Sequence, residues 1–263
     1  MRHSLQLLVL TALVSLLTAC GDKPTYDTST PEAMLASLQQ AIQDGHPEII
    51  PQLIDLPARD ITFADGVTEA SAIGEVKAKA GDMLAQLWRI TEKLRARYPD
   101  EFGDEAQVAV GKVDEFVPIA AYGKYTAKFL SDPFGFITEQ REKLTAEDMG
   151  DGTAALLYEG EPIFEGAVTL VETDDGWKVA VPIDTMRGSE YFPDTREEWS
   201  VLASLMLSAE NAMIDFEVEL DAGKFKTMRA ASERVGQTVG ASVIVQSIVY
   251  AAMKRDDSAP ATP

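Results

Sequence analysis

The chain has 263 residues, 46% of them hydrophobic, and its 23 basic and 43 acidic side chains give a net charge of -20. Such a charge repels phosphate backbones and anionic head groups, which excludes nucleic acid as a partner and leaves basic proteins and divalent cations open. With one cysteine in the whole chain, no internal disulfide can form, so stability must come from a packed core.

Arg2 and His3 give a short basic start. The uncharged, mostly apolar stretch Leu5 to Leu17 follows. It falls short of the about 20 residues that a bilayer-spanning helix needs and has the length of a signal-peptide hydrophobic region. It ends Leu17-Thr18-Ala19-Cys20, which resembles the lipobox of bacterial lipoproteins. That resemblance implies cleavage before Cys20 and lipid on its thiol, with at least two acyl chains, enough to hold stably in a membrane. The other reading is an ordinary secretory signal with a chance cysteine. In similar lipoproteins an aspartate directly after the cysteine favours the inner membrane. Here Gly21 comes first and Asp22 second, so the expectation is an envelope protein of the outer membrane.

Removing the signal leaves His46 as the sole histidine and no free thiol. A cysteine nucleophile and a zinc site of His and Cys are then excluded. No Gly-x-Ser-x-Gly elbow, Walker loop, Gly-x-Gly-x-x-Gly or His-Glu-x-x-His occurs, so no cofactor is expected. Any chemistry would rest on carboxylates, tyrosines or a hard metal.

Gly21 to Thr30 reads as a polar tether that lets the body stand off from the membrane. Thr30 with Pro31 opens a first helix, with Met34, Leu35, Leu38, Ala41 and Ile42 at helical spacing. Gly45-His46-Pro47 breaks it, and a second short helix carries Ile49, Ile50, Leu53 and Ile54. Ile61 and Phe63 suggest a brief strand before the Asp65-Gly66 turn. From Thr68 to Tyr98 one apolar stripe runs through Ile73, Val76, Met83, Leu87, Ile90 and Leu94, predicting a long helix. Val108, Val110 and Val113 hint at a strand, and a helix is expected from about Pro118. A further helix capped by Asp132 should reach about Leu144.

There the period changes to two. Thr153 to Tyr158, Phe164 to Glu172 and Trp177 to Val181 read as strands, the last two joined at Asp174-Asp175-Gly176. Thr195 and Glu198 then form a capping box. Trp199, Leu202, Leu205, Ala209, Met213, Phe216 and Leu220 make the stripe of a helix that stops at Gly223. A second helix, Phe225 to about Met253, packs back on it, and residues 254–263 read as a disordered tail. The expected fold is α+β: a small antiparallel sheet of three or four strands on helices. The expected organisation is a body over 31–193 with a helical insertion at about 68–145, followed by a helical hairpin over 194–253.

Thr30-Pro31-Glu32-Ala33 with its helix, and Asp175-Gly176-Trp177-Lys178-Val179, resemble the nuclear-transport-factor-2-like domains of bacterial lipoproteins. The resemblance covers a third of the mature chain and implies a bent antiparallel sheet wrapped on helices, sometimes around a pocket. The long insertion and the added hairpin depart from it, so no catalytic residue carries over.

Several features admit a functional and a plain reading. His46 could be a general base but sits in a loop break. Asp100, Glu101, Asp104 and Glu105 could bind calcium but lack the alternating spacing of a calcium loop. Asp148 and Asp151 read as turn residues. Met206 and Met213 could grip an apolar ligand, although core packing is the simpler role. Val235 to Met253 carries no charge, and Gly236 and Gly240 have the spacing of paired membrane helices. A soluble helix packed on its neighbour through those glycines is the favoured reading over a C-terminal anchor.

Three functions follow in order. The first is a lipid-anchored, non-enzymatic module that binds another envelope protein. The second is a periplasmic carrier or sensor whose sheet-helix cavity is lined by Tyr158, Glu165 or Tyr191. The third is a carboxylate enzyme, which needs two acids converging with displaced pKa values.

Overall fold

The computed structural model describes residues 25–104 and 125–257, apart from 167, 182, 184–186 and 190. Expectations for the signal segment with Cys20, for Val108 to Val113, for the start at Pro118 and for 258–263 fall outside the described residues. The fold is α+β, a single sheet packed with helices.

Helix α1, Pro31–Gln43, starts as its sequence dictates: Thr30 Oγ1 accepts from Ala33 N at 3.1 Å and proline occupies the first turn. The next segment, Pro47–Leu53, is a 3-10 helix and not an α-helix. Pro51 inside it has no N–H to give, which prevents an α-helical ladder from closing. It runs into β1, Ile54–Asp55, a strand that the sequence pattern does not announce. The expected strand at Ile61 and Phe63 is only an isolated antiparallel bridge between Thr62 and Thr68. Helix α2, Glu69–Arg97, is capped by Thr68. Two short helices follow the undescribed stretch, α3 at Thr126–Ser131 and α4 at Pro133–Glu139. The second of these stops five residues before the expected Leu144, because Leu144 begins a strand.

The sheet has six strands, not three or four. They are β1, then β2 (Leu144–Asp148), β3 (Thr153–Tyr158), β4 (Glu161–Pro162), β5 (Thr169–Thr173) and β6 (Gly176–Ala180). Their order is β1-β6-β5-β3-β2, with β4 paired to β3. All pairs are antiparallel except β1 with β6, where Ile54 lies beside Val179 and Asp55 beside Ala180. Phe164 to Gly166 is not strand: Ile163–Gly166 is a 3-10 turn in which Glu165 takes φ 57°. Gly176, at φ 102°, serves the β5–β6 turn and also lets Thr28 approach so closely that a Cβ would meet its side chain.

That approach corrects the tether. Thr28 O accepts from Trp177 N at 2.7 Å, and Asp27 O accepts from Ser37 Oγ at 2.6 Å. The chain is therefore docked on the body from Asp27 onward and does not act as a free spacer there.

Helix α5, Arg196–Asp221, carries the full capping box of Thr195 and Glu198. Helix α6, Met228–Asp257, folds back on it and continues four residues past the expected end, so the chain is helical to 257. Among the described residues three clusters fill the interior. The sheet cluster packs Met34, Leu35, Phe136, Leu156, Tyr158, Leu170 and Trp177 between sheet, α1 and α4. A helical cluster joins Ile90 and Leu94 of α2 to Met213, Phe216 and Leu220 of α5 and to Met228 and Ala231 of α6. A smaller one joins Ile73 to Phe192 and Trp199.

Candidate interaction face

Helix α6 has two unlike halves. Its first half is seated: Met228 and Ala231 are buried, and Val235 and Val239 pack against the helical cluster. Arg234 donates to Glu219 of α5 at 2.7 Å and 3.1 Å. Glu101 Oε2 accepts from Met228 N at 2.9 Å. The acidic loop thus contributes a cap for α6, a role the sequence reading missed. Helix-cap pairing at this distance in sequence leaves no local signal.

The second half carries a bare aliphatic row. Ile244, Val245, Ile248 and Val249 are 60%, 61%, 64% and 45% exposed. From Met228 to Lys254 the helix is long and apolar enough to cross a membrane, and only 6% of its most apolar window is buried. Large aliphatic side chains are usually buried, and a contiguous exposed set of them marks a contact surface. The glycines do not do what their spacing suggests. Among the described residues, a Cβ on Gly236 or Gly240 would meet nothing within 4 Å. The close helix approach occurs elsewhere, at Gly81 of α2, where a Cβ would stand 2.6 Å from Glu48 O.

The far end of α6 is tied down by a charged clasp. Arg59 gives its Nε and Nη2 to Glu69 Oε1 at 2.9 Å and 2.6 Å, and its Nη1 to Asp194 at 2.8 Å. Lys254 of α6 reaches Asp194 at 3.3 Å and lies 3.0 Å from Glu198 Oε1, the latter an ion-pair contact without hydrogen-bond alignment. Tyr250 donates to Tyr191 O at 2.6 Å. Burial pushes the Tyr250 hydroxyl up to about 12, with Glu198 and Asp194 adding to the effect. Glu69 and Glu198 are fully buried acids. Burial alone would raise the Glu69 carboxyl, but the Arg59 hydrogen bonds more than offset it and hold it below the usual range. Asp194 is held low chiefly by its hydrogen bond from Arg59. Glu69 and Asp194 therefore stay ionised and engaged. Neither is a poised general acid, and the cluster reads as a structural clasp joining four segments.

The three residues expected to line a cavity are not brought together. Tyr158 is 2% exposed inside the sheet cluster, stacked on Phe136 with ring centroids 4.9 Å apart. Its hydroxyl donates to Gln140 at 3.0 Å and accepts from Lys128 at 2.9 Å. Glu165 lies exposed on its 3-10 turn. Tyr191, 61% exposed, flanks a cleft of about 360 Å³ beside Leu56, Val76, Phe192 and Trp199, against a different core cluster. The side chains of the sheet cluster occupy the space between sheet and α1 where the cavity was expected. Met213 is core, whereas Met206 is partly exposed. His46 pairs with Glu48 at 2.9 Å on the surface. Asp148 and Asp151 accept from Gly150 N at 2.8 Å and Thr153 N at 3.1 Å, as turn residues do. Among the described residues no three metal-ligating side chains converge.

Comparison with known proteins finds no matching family model, no matching curated protein and no matching solved structure.

Proposed function

We propose that the chain is a lipid-anchored, non-enzymatic protein of the bacterial cell envelope that works by binding another protein through α6. The bare aliphatic side chains Ile244, Val245, Ile248 and Val249 of α6 carry this reading. Among the described residues these four side chains join none of the core clusters, and their burial in a partner would be favourable by about 25 cal/mol per Å². The lipobox at Cys20 supplies the anchor in this reading, and Gly21 before Asp22 favours the outer membrane. The docked Thr28 supports a body held near its membrane. The likeness to nuclear-transport-factor-2-like domains remains a proposal about the sheet half, supported by the seating of Trp177 and α1 in one core.

A second reading, a small-ligand carrier, draws on the cleft beside Tyr191. Native mass spectrometry of the full protein from its own host in mild detergent separates the two. A protein bound in definite stoichiometry supports the interaction role. A small mass lost on unfolding favours the carrier and sinks the interaction reading. A mature chain that starts at Cys20 without acyl mass refutes the anchor.

A further inference from the structure

The geometry points to a second protein-binding surface, separate from α6: the outer edge of β2, which takes an extended basic segment of a partner protein as an added strand. β2 is the last strand in the sheet order, and among the described residues no strand pairs with its outer side. The direction of its backbone groups follows from its two ends. Lys143 O accepts from Glu159 N at 2.9 Å, and Met149 N donates to Thr153 O at 2.9 Å. In an antiparallel pair, residues that bond across alternate with residues that do not. Thr145 and Glu147 therefore bond to β3 as Lys143 and Met149 do, and Leu144, Ala146 and Asp148 turn their backbones outward. Leu144 N donates to Gln140 O at 3.2 Å. The C=O of Leu144, both backbone groups of Ala146 and the N–H of Asp148 have no hydrogen-bond partner among the described residues. One added strand pairs with that set, and such main-chain bonds supply the affinity when a peptide joins a sheet edge.

A cleft of about 290 Å³ adjoins the same edge, lined by Leu35, Ala36 and Gln39 of α1 and by Leu144, Thr145 and Ala146. Gln39 is 3% exposed, and its Nε2 has no partner among the described residues. A buried amide left without a partner is costly, and a carbonyl entering the cleft offers the missing acceptor. The open backbone and the cleft are independent features that meet at Ala146.

Side chains alternate across a strand, which fixes the chemistry of the occupant. A residue set opposite Ala146 turns its side chain to the cleft, where Leu35 and Ala36 favour a small aliphatic group. Its neighbours turn to the other face, beside the exposed Thr145 and Glu147. Glu147 favours a basic residue there, as opposite charges do across a strand pair. Glu32, Glu142 and Asp148 are also exposed around the edge, against Arg141 as the cation of the cleft lining. The same acids decide against a second copy of this chain. Charged edge strands resist pairing with their own kind, and two chains of net charge -20 repel.

The test uses the full chain in mild detergent, with a fluorescent peptide of alternating lysine and valine as the probe. Ala146→Pro removes the outward N–H but keeps every charge and every bond to β3, and proline is tolerated at such an edge position. We expect peptide binding to weaken at least about tenfold in Ala146→Pro and about fivefold in Glu147→Lys. Hydrogen exchange of the wild-type chain, resolved by residue, gives a reading that no variant's folding can confuse. Bound peptide should slow the amides of Ala146 and Asp148, while those of Thr145 and Glu147 are already protected by β3. Equal binding by wild type and Ala146→Pro means attraction by charge alone and overturns the added strand. Slow exchange at Ala146 before peptide is added means the chain covers the edge itself and overturns it too. Absence of binding by wild type does the same. None of these outcomes touches the reading of α6.

Discussion

The sheet and the helical hairpin begin from similar sequence material and end differently. In the sheet, each inward side chain meets a partner layer: Leu170 is 0% exposed and Tyr158 2%, both under α1 and α4. In the hairpin, α5 is wedged between α2 and α6, so Phe216 and Leu220 are 1% exposed. Among the described residues its outer helix packs chiefly on α5, and Ile248 stays 64% exposed. The same aliphatic residue type is structural in one place and idle in the other. A sequence reader sees composition, whereas the number of neighbouring layers decides the outcome.

The sharpest break in that comparison is truncation at matched positions. Leu170→Ala in the sheet and Phe216→Ala in the hairpin should each cost about 3–4 kcal/mol, because each leaves a cavity in a closed cluster. Urea denaturation of the detergent-solubilised protein reads both. A loss under about 1 kcal/mol at Phe216 would show that the hairpin is loosely packed throughout and would remove the contrast.

Next in size is the clasp. Arg59→Ala leaves the fully buried Glu69 without its main partner and should cost about 3 kcal/mol, as breaking a buried pair does. Because Lys254 shares Asp194 with Arg59, hydrogen exchange along the second half of α6 should quicken in the same variant. Unchanged exchange there would mean that Tyr250 and Lys254 secure the helix end without help from Arg59.

Acid tests the same clasp without a mutation. Glu69 and Asp194 are held below their ordinary values of 4.5 and 3.8, so folding favours their ionised forms. Groups shifted in this direction stabilise fully above those ordinary values, and the contribution is lost as pH falls through them towards the lower folded values. Midpoints of urea unfolding should therefore drop below pH 4.5, and Arg59→Ala should flatten that drop. An equal slope in the variant would place the acid sensitivity outside the clasp.

What was legible follows from how local each signal is. Thr30, Thr195, Glu198 and Gly223 act within a turn of the helices they begin or end, and the sequence names them correctly. The long apolar stripes of α2 and α5 survive for the same reason. β1 was hidden because two residues carry no period, and its pairing with β6 is a contact between distant segments. Leu144 was assigned to a helix end because leucine suits both states, and its place opposite Tyr158 is set by the sheet. Glu101 looked like part of an acidic loop until α6 supplied the N–H it caps. At the glycines, spacing alone could not separate a packed groove from an open one, and it favoured Gly236 and Gly240 where the tight contact is at Gly81.

The smallest effect speaks most directly to that last point. In a helix interior alanine is favoured over glycine by about 0.8–1 kcal/mol, chiefly through backbone entropy. Gly240→Ala meets no atom of the described residues within 4 Å and has no positive φ to protect, so the gain should appear in the monomer, at about 0.5–1 kcal/mol. Ile248→Ala should be neutral within about 0.5 kcal/mol in the same dilute conditions, since its side chain is already in water. Gly81→Ala is the counterpart: its Cβ would press on Glu48 O, and the change should destabilise. If Gly240→Ala instead weakened the monomer, the outer face of α6 would already be occupied within the chain, and the difference between the two halves of that helix would vanish. A gain at 240 beside a loss at 81 would show that one residue type, at two helical sites, is kept for opposite reasons: contact already made in α2, and contact still open in α6.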